Sequence, residues 1–550
     1  MSIRLVAAFI AASLLSACAT RGPDQPSPDL IVVNARVVTG DAGDTVREAF
    51  AVRDGRFAAV GDTRRVQALA GPATRVIDAG GRTVLPGLID GHIHMFRAGY
   101  WWKHEVRLDE KETLDEVLAA IAERARTTPQ GTWILTLGGW HHSQLRERRL
   151  PTRQELDRVA PDHPVYIQST REVGQMNGVA IRASGITAAT KPPVGVVLGR
   201  DGSGQFDGTI RGFAGARYAE SFFPQPGFED KLDGLQRVMR DFNAAGLTSV
   251  GEALGLGVAD EDYEVIEELA RRGGMTLRMS LQYPTTNTEH ALRWTERLDG
   301  RTGDSWLRRT GMGEIVTLAT WDGYMPQRFP MPAQAQADLE RIVEAGVRKG
   351  ITFQFHVTLA SSIDTVLDIL ERVHARVPLD HLRMTLLHAE DLTPAHVVRM
   401  KRLGMGVQMQ NRQVLGSDAM QIAWGARTTA MPPVKTTLAS GLPLASGTDG
   451  AVSSPYNPFI ALWWLVTGRN ARGELVRPDE RLSRTEALRL YTSNAAWFSF
   501  EENDKGVIRP GLLADFLVLD RDYLTVPEDE IRRLKPVLTV VNGRVVHAAR

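Results

Sequence analysis

Residues 84–94 read Val-Leu-Pro-Gly-Leu-Ile-Asp-Gly-His-Ile-His, an apolar run that ends in two histidines. In an extended chain, residues i and i+2 point to the same face, so a strand here would turn His92 and His94 into one cavity. Two imidazoles aimed at one point suit a divalent metal such as zinc. The alternative is a buried strand whose histidines only form hydrogen bonds, and the rest of the chain has to decide between the two.

The composition is that of a large folded protein without a net charge. The chain has 550 residues, which predicts one large barrel with additions or two to three domains. Lys plus Arg and Asp plus Glu both number 65, so no overall positive charge attracts nucleic acid or an anionic surface. Nucleic-acid binding therefore has no support in the sequence.

The first residues are typical of a bacterial lipoprotein signal. Arg4 precedes an apolar segment, residues 5–15, that is too short to span a bilayer and leads to Ser16-Ala17-Cys18. We expect residues 1–18 to be the signal peptide and lipidation site, with cleavage before Cys18 and a lipid on its thiol. The alternative is an ordinary secretory signal with a chance cysteine, and in both cases the mature protein is exported.

Cys18 is the only cysteine, which limits the chemistry of the chain. A single, modified thiol excludes disulfides within one chain and removes cysteine from the candidate metal ligands and nucleophiles. Residues 19–29, with their prolines and polar side chains, are predicted to be a tether. Ala19 indicates the outer rather than the inner membrane, so we expect a lipid-anchored protein of the bacterial cell envelope, on the periplasmic side.

Both ends of the chain are rich in short strand-like segments. Asp54-Gly55 and Asn542-Gly543 each separate two such segments, which is a strong signal for a two-residue hairpin. We therefore predict one small sheet domain assembled from residues 30–82 and 505–550, beside a separate central unit, residues 83–504.

The central unit alternates strand-like runs with helix-like stretches. Residues 84–94 are the first of eight strand-like runs, and the others end near Glu252, Tyr283, Ala319, Val357, His388, Gln410 and Gly447. Eight such units predict an α/β fold, a (β/α)8 barrel whose chemistry lies at the carboxyl ends of its strands. A doubly wound open sheet is the alternative, but no Gly-x-Gly-x-x-Gly or phosphate-binding loop follows a strand.

Side chains that carry chemistry stand at the predicted strand ends. His356 and His388 end two successive strands, and Asp449 follows the last one. With His92 and His94, they give four imidazoles and one carboxylate at the same rim of one barrel. Because five such residues at strand ends are hard to assign to packing, we predict a metal-dependent catalytic site.

The same combination of motifs occurs in a known family. It consists of residues 85–94, His356, His388, residues 446–449 and residues 505–515. In these motifs the chain resembles the amidohydrolase superfamily of metal-dependent hydrolases, and within it the branch with N-substituted formamide deformylases and D-aminoacylase-like enzymes. The resemblance implies a distorted, TIM-like (β/α)8 barrel beside a small composite β-sandwich made from both chain ends. It also implies a segment inserted after the first barrel strand, here about residues 96–230.

The resemblance further implies roles for the predicted site residues. His92, His94 and Asp449 match metal ligands, and His356 and His388 match histidines that bind metal or polarise the substrate. We expect one metal, zinc, held by His92, His94, His356 and Asp449. His388 and Asp449 would then be the catalytic residues.

The single-metal expectation rests on one departure from the family pattern. Many relatives carry on the fourth strand a lysine, carboxylated so that it bridges two metals, whereas Thr317 occupies its expected place here. A threonine hydroxyl is a poor bridge between divalent cations, so a binuclear centre is not expected. Glu252 and Asp322 are candidates for a substitute ligand.

The predicted reaction is hydrolysis by a metal-activated water. As a hypothesis, Asp449 takes the proton from the water that attacks an amide, formamide or N-acyl carbonyl and returns it to the leaving nitrogen, while His388 polarises the carbonyl oxygen. The reaction would cleave a carbon–nitrogen bond, other than a peptide bond, in a small-molecule substrate. Three alternatives stay open: deamination of a heterocycle, hydrolysis of a lactone or ester, and a catalytically inactive, surface-tethered binding protein.

Overall fold

The computed structural model describes residues 26–169, 171, 173–212, 214–253, 260–323 and 329–549. The predicted signal peptide, the lipidation site Cys18 and most of the predicted tether lie outside these residues. Among the described residues, no helix is both long and apolar enough to cross a membrane.

Eight parallel strands form the central sheet, and they are numbered here β1 to β8. They are Leu88–Ile93, Leu247–Glu252, Arg278–Tyr283, Leu307–Met312, Thr352–Val357, Thr385–His388, Gly406–Gln410 and Leu444–Gly447. Each strand pairs with the next along the chain, and Thr302–Gly303 adds a short edge to β4. Ile93 and Gly450 form a parallel bridge beside the ends of β1 and β8, so the sheet curls into a nearly closed barrel. The predicted barrel is confirmed.

One predicted strand is misplaced in the sequence-based account. The strand expected to end near Ala319 is β4, which ends at Met312. Arg308 and Arg309 are charged and half-buried, so the sequence of β4 lacks the apolar pattern of a buried strand. The apolar residues 315–316 just beyond β4 are therefore predicted as the end of the strand. The other six predicted strand ends coincide with observed ones.

The helices between the barrel strands form because their apolar residues recur on one face. In Ala360–His374, Ile363, Val366, Leu367 and Leu370 follow one another at helical spacing and are all buried. The helices of the structure are Thr63–Gln67, Met95–Gly99, Leu114–Thr127, Arg153–Val159, Gly178–Ser184, Gly215–Glu220, Phe228–Ala244, Asp262–Arg271, Thr288–Arg297, Ala333–Val347, Ala360–His374, Pro394–Arg402, Gln413–Trp424, Val434–Ser440, Pro458–Thr467, Arg484–Leu490 and Ser493–Phe498.

A five-stranded sheet lies in the chain between β1 and β2. Its strands are Ile134–Thr136, Val165–Ser169, Val173–Met176, Val197–Arg200 and Phe206–Arg211. Leu118, Trp140 and Ile167 belong to a buried apolar cluster separate from that of the barrel. This segment therefore has a core that the barrel does not supply.

Two further sheets contain the terminal segments. The four-stranded sheet consists of Leu30–Val33, Ala49–Arg53, Arg56–Gly61 and Arg75–Asp78. The six-stranded sheet joins both chain ends and consists of Arg36–Val38, Val46–Arg47, Thr83–Pro86, Phe516–Leu519, Pro536–Val541 and Arg544–Ala548. The Phe50 ring lies edge-on to those of Phe57 and Phe516, with centroids 5.2 Å and 4.8 Å away, so the two sheets share apolar contacts.

A buried ion pair ties the C-terminal segment to the barrel. Arg278, at the start of β3, donates from Nε and Nη2 to the two carboxylate oxygens of Asp515 at 2.7 Å and 3.0 Å. The same carboxylate accepts the Asn542 amide at 2.8 Å, and the Arg278 side chain is almost fully buried. This planar, two-bond contact fixes the terminal sheet on the amino end of the barrel strands.

We expect Asp515→Asn to lower the free energy of unfolding by about 3–5 kcal/mol, because it leaves the Arg278 charge buried without its counter-charge. Urea and thermal unfolding followed by circular dichroism measure the change. The control Glu229→Gln removes a carboxylate that pairs with Arg272 at the surface, 2.9 Å apart. It should cost less than about 1 kcal/mol. Equal stabilities of the two variants would contradict the assignment.

Candidate metal centre

Four histidines and two carboxylates meet at the carboxyl end of the barrel. They are His92 and His94 at β1, Glu314 just after β4, His356 on β5, His388 at the end of β6 and Asp449 just after β8. Each of them is at most 9% exposed. The structure thus brings together every predicted site residue of the barrel and adds Glu314, which the sequence-based account does not contain.

Asp90 holds the two strands that deliver the first ligands. Its carboxylate accepts the amide of His92 at 3.1 Å, and from Thr448 it accepts the amide at 3.0 Å and the hydroxyl at 2.6 Å. The Asp449 amide in turn donates to the His92 carbonyl at 2.9 Å. These bonds place His92 and Asp449 side by side although the two residues are far apart in the chain.

The close approach of β1 and β8 depends on Gly447. A Cβ atom added there would lie 2.4 Å from the backbone nitrogen of His92, so a side chain would push the strands apart. Asp449 and His388 also adopt positive φ angles, 54° and 70°. Such backbone conformations are uncommon for residues with side chains and cluster at functional sites.

Glu314 lies in the middle of the histidine cluster. Its Oε2 atom is 3.0 Å from His356 Nδ1, 3.2 Å from His388 Nε2 and 3.5 Å from His92 Nε2. Its Oε1 atom is 3.4 Å from His94 Nε2. The two oxygens of one carboxylate therefore face different histidines.

Asp449 approaches the histidine pair of β1 from the other side. Its Oδ1 atom lies 3.1 Å from His94 Nε2 and 3.8 Å from His92 Nε2. Two sets of ligand atoms lie mutually within 4.8 Å: His92, His94 and Asp449, and His92, Glu314 and His388. His356 is in neither set, although its Nδ1 contacts Glu314.

A buried ring nitrogen without a partner supports metal binding. Among the described residues, His92 Nε2 makes no hydrogen bond, although it lies 3.5 Å from Glu314 and 3.8 Å from Asp449. Buried polar atoms are almost always paired, so this nitrogen needs a partner that the described residues do not provide. Imidazole and carboxylate ligands suit a divalent transition metal, and the residues fit such an ion.

Two members of the cluster are held in the forms that bind a metal. Burial lowers the pKa of His92 to about 3, which keeps its imidazole neutral. Burial opposes ionisation of Glu314, but hydrogen bonds from His356 and His388 hold its pKa well below its usual range. Burial would likewise lower the pKa of His94, yet the hydrogen bond to Asp449 and the charge of Glu314 raise it to about 9, so that its imidazole is protonated at neutral pH. A divalent cation would displace this proton, because only a neutral imidazole binds metal.

Glu314, and not Thr317, stands where a carboxylate can join two groups of histidines. The Thr317 hydroxyl is buried and makes no hydrogen bond with any described residue. Glu252 accepts the Phe96 amide at 3.0 Å, and Asp322 accepts the amides that follow β5. Both of these carboxylates therefore hold backbone, and whether one of them replaces the lysine as a ligand stays a prediction.

The absence of Glu314 from the predicted site has the same origin as the misplaced strand. Asp449 lies two residues beyond the end of β8, and Glu314 lies two residues beyond the end of β4. The rule that finds Asp449 in the sequence would also find Glu314 once β4 is placed correctly.

His356 differs from the other histidines in having both ring nitrogens engaged. Nδ1 faces Glu314, and the indole N–H of Trp321 donates to Nε2 at 3.1 Å. An indole can only donate, so Nε2 acts as the acceptor and the proton lies on Nδ1. Coordination by His356 through Nε2 would require the Trp321 hydrogen bond to break.

A nearly closed barrel with histidines and carboxylates at its strand ends defines a metal-dependent hydrolase. The sequence profile of the Amidohydrolase family matches residues 75–547, and the chain belongs to that family. The predicted resemblance is confirmed at this level.

The chain is also similar to individual hydrolases and to solved structures. The chain is 29% identical over 545 residues to N-substituted formamide deformylase of Arthrobacter pascens, covering 94% of this chain and 97% of that protein. It is 26% identical to the putative amidohydrolase YtcJ of Bacillus subtilis, covering 91% and 96%. An uncharacterized metal-dependent hydrolase from Pyrococcus furiosus shares the fold, with a TM-score of 0.66, 21% identity and coverage of 90% and 100%.

A zinc-bound solved structure also shares the fold. It is atrazine chlorohydrolase TrzN of Arthrobacter aurescens, with a TM-score of 0.52, 16% identity and coverage of 94% of this chain and 95% of that one. Family and fold together identify the chain as an enzyme, a hydrolase that acts on carbon–nitrogen bonds, with a site for a divalent metal.

We expect Glu314→Gln to weaken divalent-metal binding by more than about 100-fold, because it removes a ligand charge and not merely a supporting contact, whose loss costs 10–100-fold. Inductively coupled plasma mass spectrometry of protein dialysed against zinc buffers measures the loss. Thr317→Val is the matched control and should keep the full metal content, since its hydroxyl makes no hydrogen bond with any described residue. Full metal in the first variant, or loss in the second, would refute the role of Glu314.

Proposed function

We propose that the protein hydrolyses N-substituted formamides or closely related N-acyl amines to an amine and a carboxylic acid. One observation carries the proposal. Glu314 and Asp449 converge with the histidines of β1 at the strand ends of a chain that aligns almost end to end with a formamide deformylase.

We propose further that the centre takes zinc and that Glu314 bridges two metal positions. His92, His94 and Asp449 would hold the first, and Glu314 with His388 the second. Support comes from the two oxygens of Glu314, which face His94 on one side and His388 on the other. This revises the expectation of a single zinc, which rested on Thr317.

A bound metal would act as a Lewis acid and would lower the pKa of a water to about 7. The protein residues then position and transfer protons. Asp449 takes the proton of the attacking water and returns it to the leaving nitrogen, so that the amine departs neutral. His388, at the end of β6, would polarise the carbonyl oxygen in the single-metal arrangement and would be a ligand in the two-metal arrangement. The buried site excludes bulk water and strengthens these contacts.

The test is a metal-loaded assay with a panel of N-substituted formamides and N-acyl amines. We expect stoichiometric release of amine and acid, loss of activity with a chelator and recovery with zinc. Asp449→Asn should lower kcat by more than about 1,000-fold when it is assayed at a zinc concentration that saturates the site, because the proton carrier is lost.

Other products of the same assay identify the alternatives. Ammonia release would indicate a deaminase, and an acid released only from lactones or esters would indicate an esterase-type activity. A preparation that stays free of metal after growth with added zinc would favour a binding protein. A metal count of two per chain supports the bridging role of Glu314, whereas a count of one supports the mononuclear site.

For the chain ends, we propose a composite β-sandwich of residues 30–86 and 505–550 beside the barrel, with about residues 96–230 as an insertion. The predicted boundary at residue 82 moves to residue 86, because Thr83–Pro86 pairs with Arg36–Val38 and Phe516–Leu519 in the terminal sheet. The shared ring contacts of Phe50 and Phe516 support the sandwich. We also propose export to the bacterial cell envelope and a lipid anchor at Cys18, supported by the sequence of residues 1–18.

The anchor is tested by Cys18→Ser in a bacterial host. We expect the wild-type protein in the membrane fraction and the variant in the soluble fraction, because the lipid is the only membrane attachment proposed. Metabolic labelling with a radioactive fatty acid should mark only the wild type. An unlabelled, soluble wild-type protein would show that the leader is an ordinary secretory signal.

A further inference from the structure

Arg412 is a buried cation beside the proposed proton carrier. It follows β7, is 7% exposed, and its Nε atom lies 3.6 Å from Oδ2 of Asp449. Burial lowers the pKa of Arg412 to about 10, so the guanidinium stays charged at neutral pH. This cation takes no part in the proposed reaction.

Glu390 holds Arg412 from the opposite side. It lies two residues beyond the end of β6, is 2% exposed, and its Oε1 atom accepts from Arg412 Nη1 at 3.2 Å. Glu390, Arg412 and Asp449 therefore form a row of buried polar side chains after three successive strands. Burial raises the pKa of Glu390 well above its usual range, so Glu390 acts as a hydrogen-bond acceptor and Asp449 is the counter-charge of Arg412.

The row fixes the direction of the Asp449 carboxylate. Oδ1 points to His94 Nε2, 3.1 Å away, while Oδ2 points to the guanidinium. The terminal torsion of an aspartate is broad and nearly two-fold, so packing alone does not hold its plane. A cation next to one oxygen decides which oxygen faces the ligands and the reacting atoms.

We infer that Arg412 is a positioning residue for Asp449 and that Glu390 holds Arg412 in place. The inference rests on the proposed role of Asp449. Arg412 acts through that carboxylate and not on the substrate. Its planar, fixed set of donors suits the task better than the flexible ammonium of a lysine.

The experiment compares Arg412→Met, Arg412→Lys and Glu390→Gln in the metal-loaded enzyme. For Arg412→Met we expect kcat to fall by about 100-fold with KM within threefold of wild type, the loss that a small misplacement of a catalytic group produces. The kcat of Arg412→Lys should be about tenfold higher than that of Arg412→Met, because lysine restores the positive charge but not the planar guanidinium. Glu390→Gln should lower kcat by about tenfold.

A second readout does not depend on activity. In the cobalt-substituted enzyme, the visible d–d bands report the geometry of the ligands, Asp449 included, so Arg412→Met should shift them at unchanged cobalt content. The control Arg399→Met removes an arginine that pairs with surface carboxylates such as Glu371. It should leave kcat and the cobalt spectrum unchanged.

The outcomes separate this inference from the proposed function. A wild-type enzyme inactive on every substrate refutes the proposed function, and the cobalt spectra then decide the role of Arg412 alone. An unchanged spectrum and a kcat within threefold of wild type in Arg412→Met would overturn the inference. A raised KM with unchanged kcat would overturn it in favour of substrate binding, and loss of cobalt in favour of a purely structural role.

Discussion

Asp90 accepts hydrogen bonds from both strands that meet where the barrel closes. Its carboxylate binds the His92 amide on β1 and the amide and hydroxyl of Thr448 beyond β8. Burial raises the pKa of this carboxyl to about 7, and the same hydrogen bonds act against that rise. The contacts that close the barrel thus also bring part of the candidate metal centre together, because the strand pair that closes the sheet also supplies His92 and Asp449.

Two buried carboxylates organise the candidate metal centre. Glu314 and Asp449 lie among four imidazoles, and burial keeps His92 neutral. Buried carboxylates are costly unless they are paired or bind a cation, and Asp449 is paired with the His94 ring and with Arg412. The same carboxylates would favour a divalent cation in the centre.

Much of the fold could be predicted from local patterns. The run of residues 84–94 predicts a strand with two histidines on one face. The structure divides the run at Gly87 between Thr83–Pro86 of the terminal sheet and β1, and both histidines face Asp449. The strand rhythm predicts the barrel and most strand ends. It fails at β4, because Arg308 and Arg309 interrupt the apolar pattern and the residues beyond imitate a strand. The loss of Glu314 from the predicted site follows directly from that misplacement.

By itself the sequence determined the strand rhythm, the histidine pair, the strand-end positions of His388 and Asp449, and the family. Only the tertiary structure shows which carboxylate faces the histidines. Glu252, Asp322 and Glu314 are equivalent as residue types, but the first two accept backbone amides while Glu314 faces ring nitrogens from β1, β5 and β6. The physical reason is that a carboxylate takes its role from the donors it meets, and those donors come from strands far apart in the chain.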